Sequence, residues 1–304
     1  MKLEQLKKNK TILDLYVKYK KNISILLTYI APKKATEYVY KYHTGKKLDL
    51  KNPKEFNEKL QWLKLYGDQD LMVQCADKYA VRKYIEKKQC GEILNELYGV
   101  YDSVDEVDFN IFPNEFVLKT TNGCGTNIIC KNKEKINIEK TKEQLNIWMK
   151  KKYGLETAET HYLKIKPRII CEKMIKTKDG TLPNDYKFFC FNGEPKFFYY
   201  GYDRENGFKK LHCDLDWNII DITKEKATLS TKECNKPQCF NDMIKYARIL
   251  SKGIPFVRVD FYDSMGKVIF GEMTFTPTAG LSQIYTEAAA IHMGDMIKLP
   301  KKGN

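Results

Sequence analysis

The sequence predicts a mixed α+β fold with more than one lobe. Several short segments are rich in Phe, Tyr, Val and Ile and are bounded by Gly, Pro, Asn or Asp, as β-strands are. Apolar patterns of helical period interleave with these segments. At 304 residues the chain exceeds a typical domain of roughly 100 to 200 residues, so a cleft between lobes is expected.

The first 48 residues are strongly basic and predict amphipathic helices. They contain twelve lysines but only three acidic residues, Glu4, Asp14 and Glu37. Because the lysines scatter around the predicted helices, packing against the rest of the protein is favoured over lying on an anionic membrane surface. The longest apolar stretch, residues 23–31, is far shorter than the roughly 20 residues that a membrane-spanning helix needs.

Cysteine content and net charge limit the cellular setting. The nine cysteines include no CxxC pair, and no histidine stands at metal-ligand spacing, so reduced thiols are expected instead of disulfides or a zinc site. The N-terminus lacks the apolar run and cleavage site of a secretory signal. A cytoplasmic protein is therefore expected. The net charge of +14 is compatible with nucleic acid, an anionic membrane surface or an acidic substrate.

Helices and strands alternate after the basic segment. Helices are predicted at residues 70–88, 141–152 and 241–251. The first carries Asp77 and Lys78, and the second begins with a capping box formed by Thr141 and Gln144. Strands are predicted at residues 115–120, 127–130, 168–175, 186–191, 196–202, 254–262 and 268–275.

A Gly-rich loop joins two of these strands. Residues 116–130 read as a strand that ends near Lys119, a loop with Gly123 and Gly125, and a second strand. A Walker A loop and a dinucleotide-binding turn both open a helix, so neither fits. Two interpretations remain open: an ordinary hairpin loop, or a flap whose backbone N–H groups cover phosphates.

The segment at residues 254–276 predicts a β-hairpin with an unusual charged face. If Gly266 takes the left-handed position of a three-residue loop, Arg258, Asp260, Glu272 and Thr274 line one surface. The expected cross-strand pairs are Asp263 with Lys267, Asp260 with Phe270, and Arg258 with Glu272.

Charges on an otherwise apolar hairpin are costly unless they meet a ligand, a metal or one another. Mg²⁺ is the natural metal, since it prefers carboxylate and phosphate oxygens. A plain Arg258–Glu272 ion pair on a solvent-facing sheet is the alternative. Lys187, in an aromatic strand, likewise needs an anion. Glu172 ends an apolar strand where its carboxylate and the following backbone could bind an adenine edge.

The order of these motifs resembles the ATP-grasp superfamily, and its TupA-like branch most of all. That branch is named for teichuronopeptide biosynthesis. The resemblance extends over about residues 50–290 and is carried by three further motifs, which are Phe-Asn-Glu-Lys-Leu-Gln-Trp-Leu-Lys-Leu-Tyr at residues 56–66, Asp-Lys-Tyr at residues 77–79, and Phe-Gly-Glu-Met-Thr-Phe at residues 270–275.

The resemblance implies a role for each candidate site residue. The phosphate-binding lysines would be Lys78, Lys119 and Lys187, and the flap would be Gly123, Gly125 and Thr126. The adenine hinge would be Glu172, Lys173, Met174 and Ile175, with Asp179 or a neighbour on the ribose. The Mg²⁺ ligands would be Asp260 and Glu272. Thr274 stands where most ATP-grasp enzymes carry Asn, so it is the weakest metal ligand. Arg258 would steady charge at the acyl centre, with Lys187 as the second catalytic residue.

The resemblance also implies a reaction and a domain plan. The reaction would be ATP- and Mg²⁺-dependent ligation of a carboxylate to an amine through an acyl phosphate. The acid would be a uronic acid or carboxylated sugar of a surface or capsular polysaccharide, and the amine an amino acid or amino alcohol. The expected parts are a helical N-terminal region at 1–110, a small lobe with the flap at 111–176, and a large lobe with the metal site at 177–304.

Two other function classes compete with this one. A glycosyltransferase would use a DxD motif, which Asp214 and Asp216 provide, to bind a metal and a sugar nucleotide. A nucleic-acid-binding module would use the basic charge and the many aromatic residues. The basic excess lies mainly in the first 48 residues, and no recognisable nucleic-acid motif is present, so no nucleic-acid partner is expected. Contact with a membrane or with polysaccharide-assembly enzymes remains open.

Overall fold

The structure, a computed structural model, describes residues 10–177, 179–203, 207–225 and 236–301. The described helices are α1 (Lys10–Ile30), α2 (Pro32–Thr44), α3 (Phe56–Tyr66), α4 (Gln69–Ala76), α5 (Ala80–Lys87), α6 (Ile138–Lys150), α7 (Phe240–Ser251) and α8 (Glu287–Asp295). The described strands are β1 (Leu97–Tyr101), β2 (Phe116–Thr120), β3 (Asn127–Cys130), β4 (Ile169–Lys173), β5 (Asp185–Phe191), β6 (Glu194–Tyr202), β7 (Lys209–Asp214), β8 (Phe256–Ser264) and β9 (Lys267–Thr274). Within these ranges, none of the helices has the length and apolar character to cross a membrane.

The smaller sheet has four antiparallel strands in the order β1-β4-β2-β3. Its core includes Phe116 and Leu118 of β2, which pack with Leu145 of α6. We predicted that the small lobe begins at residue 111, but β1 pairs with β4, so the sheet takes in an earlier part of the chain. The sequence also did not predict β1 as a strand.

The larger sheet has five antiparallel strands in the order β7-β6-β5-β8-β9. Phe188 of β5 faces α7, where it contacts Phe240, whereas Phe191 faces α3, where it contacts Phe56. Helices therefore cover both faces of the central strands. Burial on both faces explains why these strands read as continuous aromatic and aliphatic runs instead of alternating patterns.

The helix predicted at residues 141–152 begins earlier than expected. Asn137 is its N-cap, and the side chain of this residue accepts the N–H of Lys140 at 2.9 Å. Thr141 is inside the helix and buried, so the capping box that we predicted from Thr141 and Gln144 is wrong. An asparagine one turn upstream satisfies the free N–H groups of the first turn equally well, and the spacing alone could not choose between them.

Candidate active site

Lys78 lies in a break between two helices. We predicted one helix over residues 70–88, but α4 and α5 are separate elements on either side of this break. The carboxylate of Asp77 accepts two backbone N–H groups of the following turn, at 2.8 and 3.1 Å, and so caps the start of α5. In the break, the ammonium of Lys78 donates to the carbonyl of Gly123 in the Gly-rich loop.

The Gly-rich loop between β2 and β3 is closed at its base and lies against an aromatic ring. The hydroxyl of Thr126 donates to the carbonyl of Thr120 at 3.3 Å, so it closes the loop instead of lining the cavities described below. Gly125 has a φ of +68°. A Cβ atom on Gly123 would lie 2.4 Å from the ring of Tyr153. The two glycines therefore provide a left-handed turn and a close approach.

The β8–β9 hairpin turns tightly at Met265 and Gly266. Both residues have positive φ, 54° and 84°, and Ser264 pairs with Lys267 across this two-residue turn, which is typical of type I′. The N–H of Gly266 donates to the carboxylate of Asp263 at 2.8 Å. Our prediction of a three-residue loop, with Asp263 opposite Lys267, is therefore wrong.

The extra residue of this hairpin lies further along, at Gly271. The register shifts there, so Asp260 pairs with Glu272 and Arg258 with Thr274, instead of the residues two positions earlier that we predicted. A Cβ atom on Gly271 would lie 3.0 Å from the carbonyl oxygen of Asp260, so glycine permits this approach. Because the observed register differs from the predicted one by two residues, the side chains of Arg258, Asp260, Glu272 and Thr274 still share one face.

Charged side chains on that face form a hydrogen-bonded network. Arg258 donates to both oxygens of Asp260 at 2.7 and 2.8 Å, and to Glu272 at 2.7 Å. From β5, the Lys187 ammonium donates to Asp260 at 2.6 Å and lies 3.1 Å from a carboxylate oxygen of Asp185. Asp185 and Asp260 are each only 1% exposed. The lysine in the aromatic strand thus meets two buried carboxylates, which offset the cost of burying it.

Glu272 is the member of this network that is most open to solvent. Its side chain is 44% exposed, against 13% for Arg258. The hydroxyl of Thr274 donates to Glu272 and accepts from Arg258, both at 3.0 Å. Burial would raise the pKa of Glu272, but the charges of Arg258, Lys187 and Lys78 lower it to about 2. Glu272 is therefore an ionised and accessible carboxylate near neutral pH.

Lys119 and Glu172 form an ion pair across the smaller sheet. Their Nζ and Oε2 atoms lie 2.6 Å apart, and Arg82 is 4.0 Å from the other oxygen of Glu172. Burial would lower the pKa of Lys119, but the carboxylate of Glu172 raises it above its usual value. The Glu172 carboxylate thus holds the lysine, and its contact with an adenine edge stays a prediction.

The hinge after β4 presents backbone groups to a cavity. The N–H of Lys173 donates to the carbonyl of Glu96 at 3.0 Å, and the Lys173 carbonyl accepts from the Asn95 amide at 2.8 Å. Met174 and Ile175 follow and line the cavity. These two positions, more than Lys173, could offer peptide groups to an adenine edge.

Asp179 follows the hinge in sequence. It occupies a turn between Thr177 and Thr181, whose hydroxyl oxygens are 2.8 Å apart. It lines none of the three cavities described next, and its neighbour at position 178 is outside the described residues. A ribose contact from this turn stays a prediction.

Three adjoining cavities form one groove lined from both sheets. The hinge cavity, of about 630 Å³, includes Asn95, Glu96, Lys173, Met174 and Ile175. The lysine cavity, of about 290 Å³, includes Lys78, Lys119, Lys187, Glu172, Asp185 and Glu272. The arginine cavity, of about 610 Å³, includes Arg258, Tyr153, Glu159, Tyr162, Thr274 and Thr276.

Neighbouring cavities of the groove share lining residues. Asn95 and Ile175 line both the hinge cavity and the lysine cavity. Lys78, Gly271 and Glu272 line both the lysine cavity and the arginine cavity. The structure therefore brings the three predicted phosphate-binding lysines together between the hinge on one side and Arg258 on the other.

Asp260 and Glu272 offer the oxygen ligands that Mg²⁺ prefers. They pair directly across β8 and β9, and Glu272 lines the lysine cavity. Among the described residues, no cluster of three or more His, Cys, Asp or Glu side chains could hold a metal. Glu272 nevertheless fits Mg²⁺, which one or two carboxylates commonly bind together with phosphate oxygens and water. Asp260 is 1% exposed and lines none of the three cavities described above. Both oxygens of Asp260 already accept from Arg258 and Lys187, so Glu272 is the more available ligand.

The DxD motif has a local structural role. Asp214 ends β7, and its carboxylate accepts the backbone N–H groups of Asp216 and Asn218 at 3.0 and 2.8 Å and the Asn218 amide at 3.0 Å. These bonds shape the turn after the strand. The spacing of the motif is thus explained by a turn in which the first acid takes part, without any bound sugar nucleotide.

Sequence reasoning missed several residues that line the lysine cavity. Asp185, Asn95, Arg82 and Tyr262 all lie there. Asp185 was visible in the Asp-Tyr-Lys motif at residues 185–187, where a carboxylate two positions from a buried lysine on the same strand indicates a pair. Asn95 gave no signal, because its amide donates to the carbonyl of Lys173, which is 78 residues away in sequence.

The buried residue His161 makes stability depend on pH. His161 is 2% exposed, and burial, assisted by the charge of Lys64, lowers its pKa to about 3. Because the unfolded chain binds a proton near the ordinary pKa of 6.5, stability falls as pH drops from 6.5 toward 3. We expect protonation of His161 in the unfolded chain to lower the free energy of unfolding by about 2 kcal/mol when the pH falls from 7 to 5.

The measurement is urea unfolding at both pH values for the wild type and for His161→Gln. The variant should lose about 2 kcal/mol less than the wild type over this range. An equal loss in both proteins would show that His161 does not titrate in this way.

One protein family and several solved structures are similar to this chain. The model of the TupA-like ATPgrasp family matches residues 58–298. No curated protein matches the sequence.

The solved structures are distant in sequence and shape. A D-alanine–D-alanine ligase from Bacillus anthracis has a TM-score of 0.41 and 15% identity, covering 74% of this chain and 66% of the ligase. The enzyme of the same name from Helicobacter pylori has a TM-score of 0.41 and 13% identity, covering 83% and 68%. The ATP-grasp ligase PsnB, complexed with a precursor variant, Mg and ADP, has a TM-score of 0.39 and 8% identity, covering 79% and 64%. The chain thus spans about two thirds of the length of these proteins.

Proposed function

Because this chain belongs to the TupA-like ATP-grasp family, we propose that it is an ATP-dependent ligase that joins a carboxylate to an amine and releases ADP and phosphate. One observation carries the proposal: Lys78, Lys119 and Lys187 line a single cavity with the ionised Glu272. Three cations beside accessible carboxylate oxygen suit a polyphosphate with Mg²⁺.

The groove suggests how ATP would lie. The adenine would enter the hinge cavity beside Met174 and Ile175, and the phosphates would extend into the lysine cavity. Asp260 and Glu272 would hold Mg²⁺, which offsets charge on the phosphates when bound. Gly123, at the boundary of the arginine cavity, would cover the phosphates with the loop that follows β2. Lys78 supports this arrangement because it already contacts that loop.

The arginine cavity would hold the acid and the amine. The substrate carboxylate would attack the terminal phosphate at the wall that both cavities share, which gives an acyl phosphate. Arg258 is fixed by three hydrogen bonds to Asp260 and Glu272, so its guanidinium is preorganised to stabilise the oxyanion that forms when the amine attacks. Closure of the Gly-rich loop would exclude water from the acyl phosphate.

The substrate that we propose is an acidic sugar. The acid would be a uronic acid or another carboxylated sugar of a surface or capsular polysaccharide, and the amine would be an amino acid or amino alcohol. The family's name and the net charge of +14 support an acidic glycan, since a basic protein attracts polyanions. The cavity for these substrates, at about 610 Å³, has the size of a site for a small organic ligand.

We place the reaction in the cytoplasm. The eight cysteines within the described residues are all free thiols, which is typical of proteins in a reducing compartment. Detection of the protein in the cytoplasmic fraction with these thiols reactive after unfolding would agree with this assignment.

ADP release tests the proposed reaction directly. ATP and Mg²⁺ would be supplied with pairs of uronic acids and amines, and ADP would be measured for each pair. We expect ADP only when a particular acid and its amine are both present, together with a new amide in the mass spectrum. If ATP does not bind at all, the proposal fails; release of a nucleotide from a sugar donor with ATP intact would favour a glycosyltransferase instead.

Lys119→Met tests the assignment of the lysine cavity. Loss of one charge-assisted contact to phosphate should raise KM for ATP by about 10- to 100-fold. Lys166→Met is the control, because Lys166 forms an exposed ion pair with Asp102 at 2.7 Å and lies outside the three cavities. Equal KM values in the two variants would contradict the proposed role of Lys119.

A further inference from the structure

Helix α1 packs on the body of the protein through a polar face. Ser24 and Thr28 are buried, and their hydroxyls donate to the carbonyls of Glu156 and Leu155 at 2.8 and 2.9 Å. Lys21 forms an ion pair with the carboxylate of Glu156 at 2.6 Å. Helix α1 therefore packs on the rest of the protein, as the sequence predicted. Its contacts with residues 155–156 are polar.

The opposite face of α1 is apolar and exposed. At about 100° of rotation per residue, six large apolar residues fall within an arc of about 100°. We call them the α1 stripe: Ile12, Leu15, Tyr19, Leu26, Tyr29 and Ile30. Each is between 42% and 70% exposed. Thr11 and Asn22 also lie in this arc, so six of its eight residues are large and apolar. Exposed apolar residues grouped on one face mark an interaction surface, whereas single exposed apolar residues do not.

The basic charge of α1 and α2 as a whole favours an anionic partner for this face. Residues 10–44 contain seven lysines against Asp14 and Glu37, and Lys18, Lys33 and Lys34 are exposed. A second copy of the chain would bring two such basic helices together, at an electrostatic cost. An anionic lipid surface offers apolar chains for the stripe and negative headgroups for the lysines.

We propose that α1 lies on an anionic membrane surface with the α1 stripe inserted among the lipids. The face that holds Ser24 and Thr28 stays on the protein, so the helix can bind lipid without leaving the body. The helix would lie in the plane of the interface, since no described helix is suited to crossing a membrane.

Helix α1 also contacts the segment that lines the proposed acceptor site. The carbonyls that anchor α1 belong to Leu155 and Glu156, and Glu156 also lines the arginine cavity. The membrane-bound helix therefore rests on a wall of the proposed acceptor site. This step rests on the proposed function, and it predicts that the acid is carried on a membrane lipid.

Vesicle sedimentation tests the membrane surface without any assay of activity. The full chain is mixed with vesicles of phosphatidylcholine, with or without phosphatidylglycerol. We expect binding to the anionic vesicles that weakens as ionic strength rises. The double variant Leu15→Glu with Leu26→Glu should bind at least about tenfold more weakly, because two large apolar groups no longer enter the lipid.

A matched variant separates insertion from charge. Ile111→Glu with Ile147→Glu makes the same change of charge at exposed apolar residues outside the N-terminal helices, and it should keep most of the binding. Equal loss in both variants, or no binding by the wild type, would overturn the proposal. A concentration-dependent dimer that only the α1 variant loses would overturn it in favour of a second copy. ADP release with soluble substrates should be unchanged in the α1 variant, so failure here and failure of the ligase assignment are distinguishable.

Discussion

Glu272→Gln is expected to lower ADP release by on the order of 10³-fold while the protein stays folded. The change removes one negative charge from the lysine cavity but keeps an oxygen that can accept from Arg258 and Thr274. The pKa of Glu272 near 2 means that the whole charge is present at neutral pH. Because Glu272 is the more available of the two proposed Mg²⁺ ligands, the variant should also need a higher Mg²⁺ concentration for half-maximal activity.

Glu194→Gln provides the control for this charge. Glu194 also accepts from an arginine, Arg248, at 2.8 Å, but this pair is about half exposed and lies outside the three cavities. ADP release by this variant should equal that of the wild type. If Glu272→Gln retained full activity at low Mg²⁺, the metal assignment would be wrong even if the ligase reaction stood.

Lys187→Met is expected to reduce the free energy of unfolding by roughly 3 kcal/mol. The ammonium of Lys187 lies between Asp260 at 2.6 Å and Asp185 at 3.1 Å, and both carboxylates are 1% exposed. Removing it concentrates negative charge in a buried place, where only water or protons could offset it. Urea unfolding followed by circular dichroism measures the loss.

Two comparisons show whether burial causes this effect. Lys166→Met removes an exposed partner of Asp102 and should cost less than about 1 kcal/mol. Lys187→Arg keeps the positive charge and should be more stable than Lys187→Met. Similar losses in Lys187→Met and Lys166→Met would show that the buried network contributes little.

The α+β class and the family were predictable because they depend on local patterns. Aromatic runs bounded by turn residues predicted the strands at residues 127–130 and 186–191 to within about one residue. The order of lysines, glycines and carboxylates along the chain predicted the TupA-like ATP-grasp family, which the family model confirms over residues 58–298. Both signals are carried by neighbours in sequence.

The errors arose where one contact outside the pattern decided the outcome. Residues 70–88 have one helical period, but the Asp77 carboxylate caps a second helix and breaks the first. The extra residue of the β8–β9 hairpin could lie at Gly266 or at Gly271. Because Met265 and Gly266 form a two-residue turn of left-handed backbone, the extra residue lies at Gly271. In both cases the predicted helix or strand period was correct, but the position of the helix break or of the register shift was not.

The sequence by itself determined which charged side chains need a partner of opposite charge. Arg258, Asp260, Glu272 and Lys187 stand in strands where a charge is too costly to leave alone. Only the tertiary structure decided what those partners are, because pairing between β5 and β8 brings Lys187 opposite Asp260 across 73 residues of chain. Likewise, periodicity predicted that α1 is a helix, but packing against residues 155–156 decided which of its faces is buried and which remains exposed.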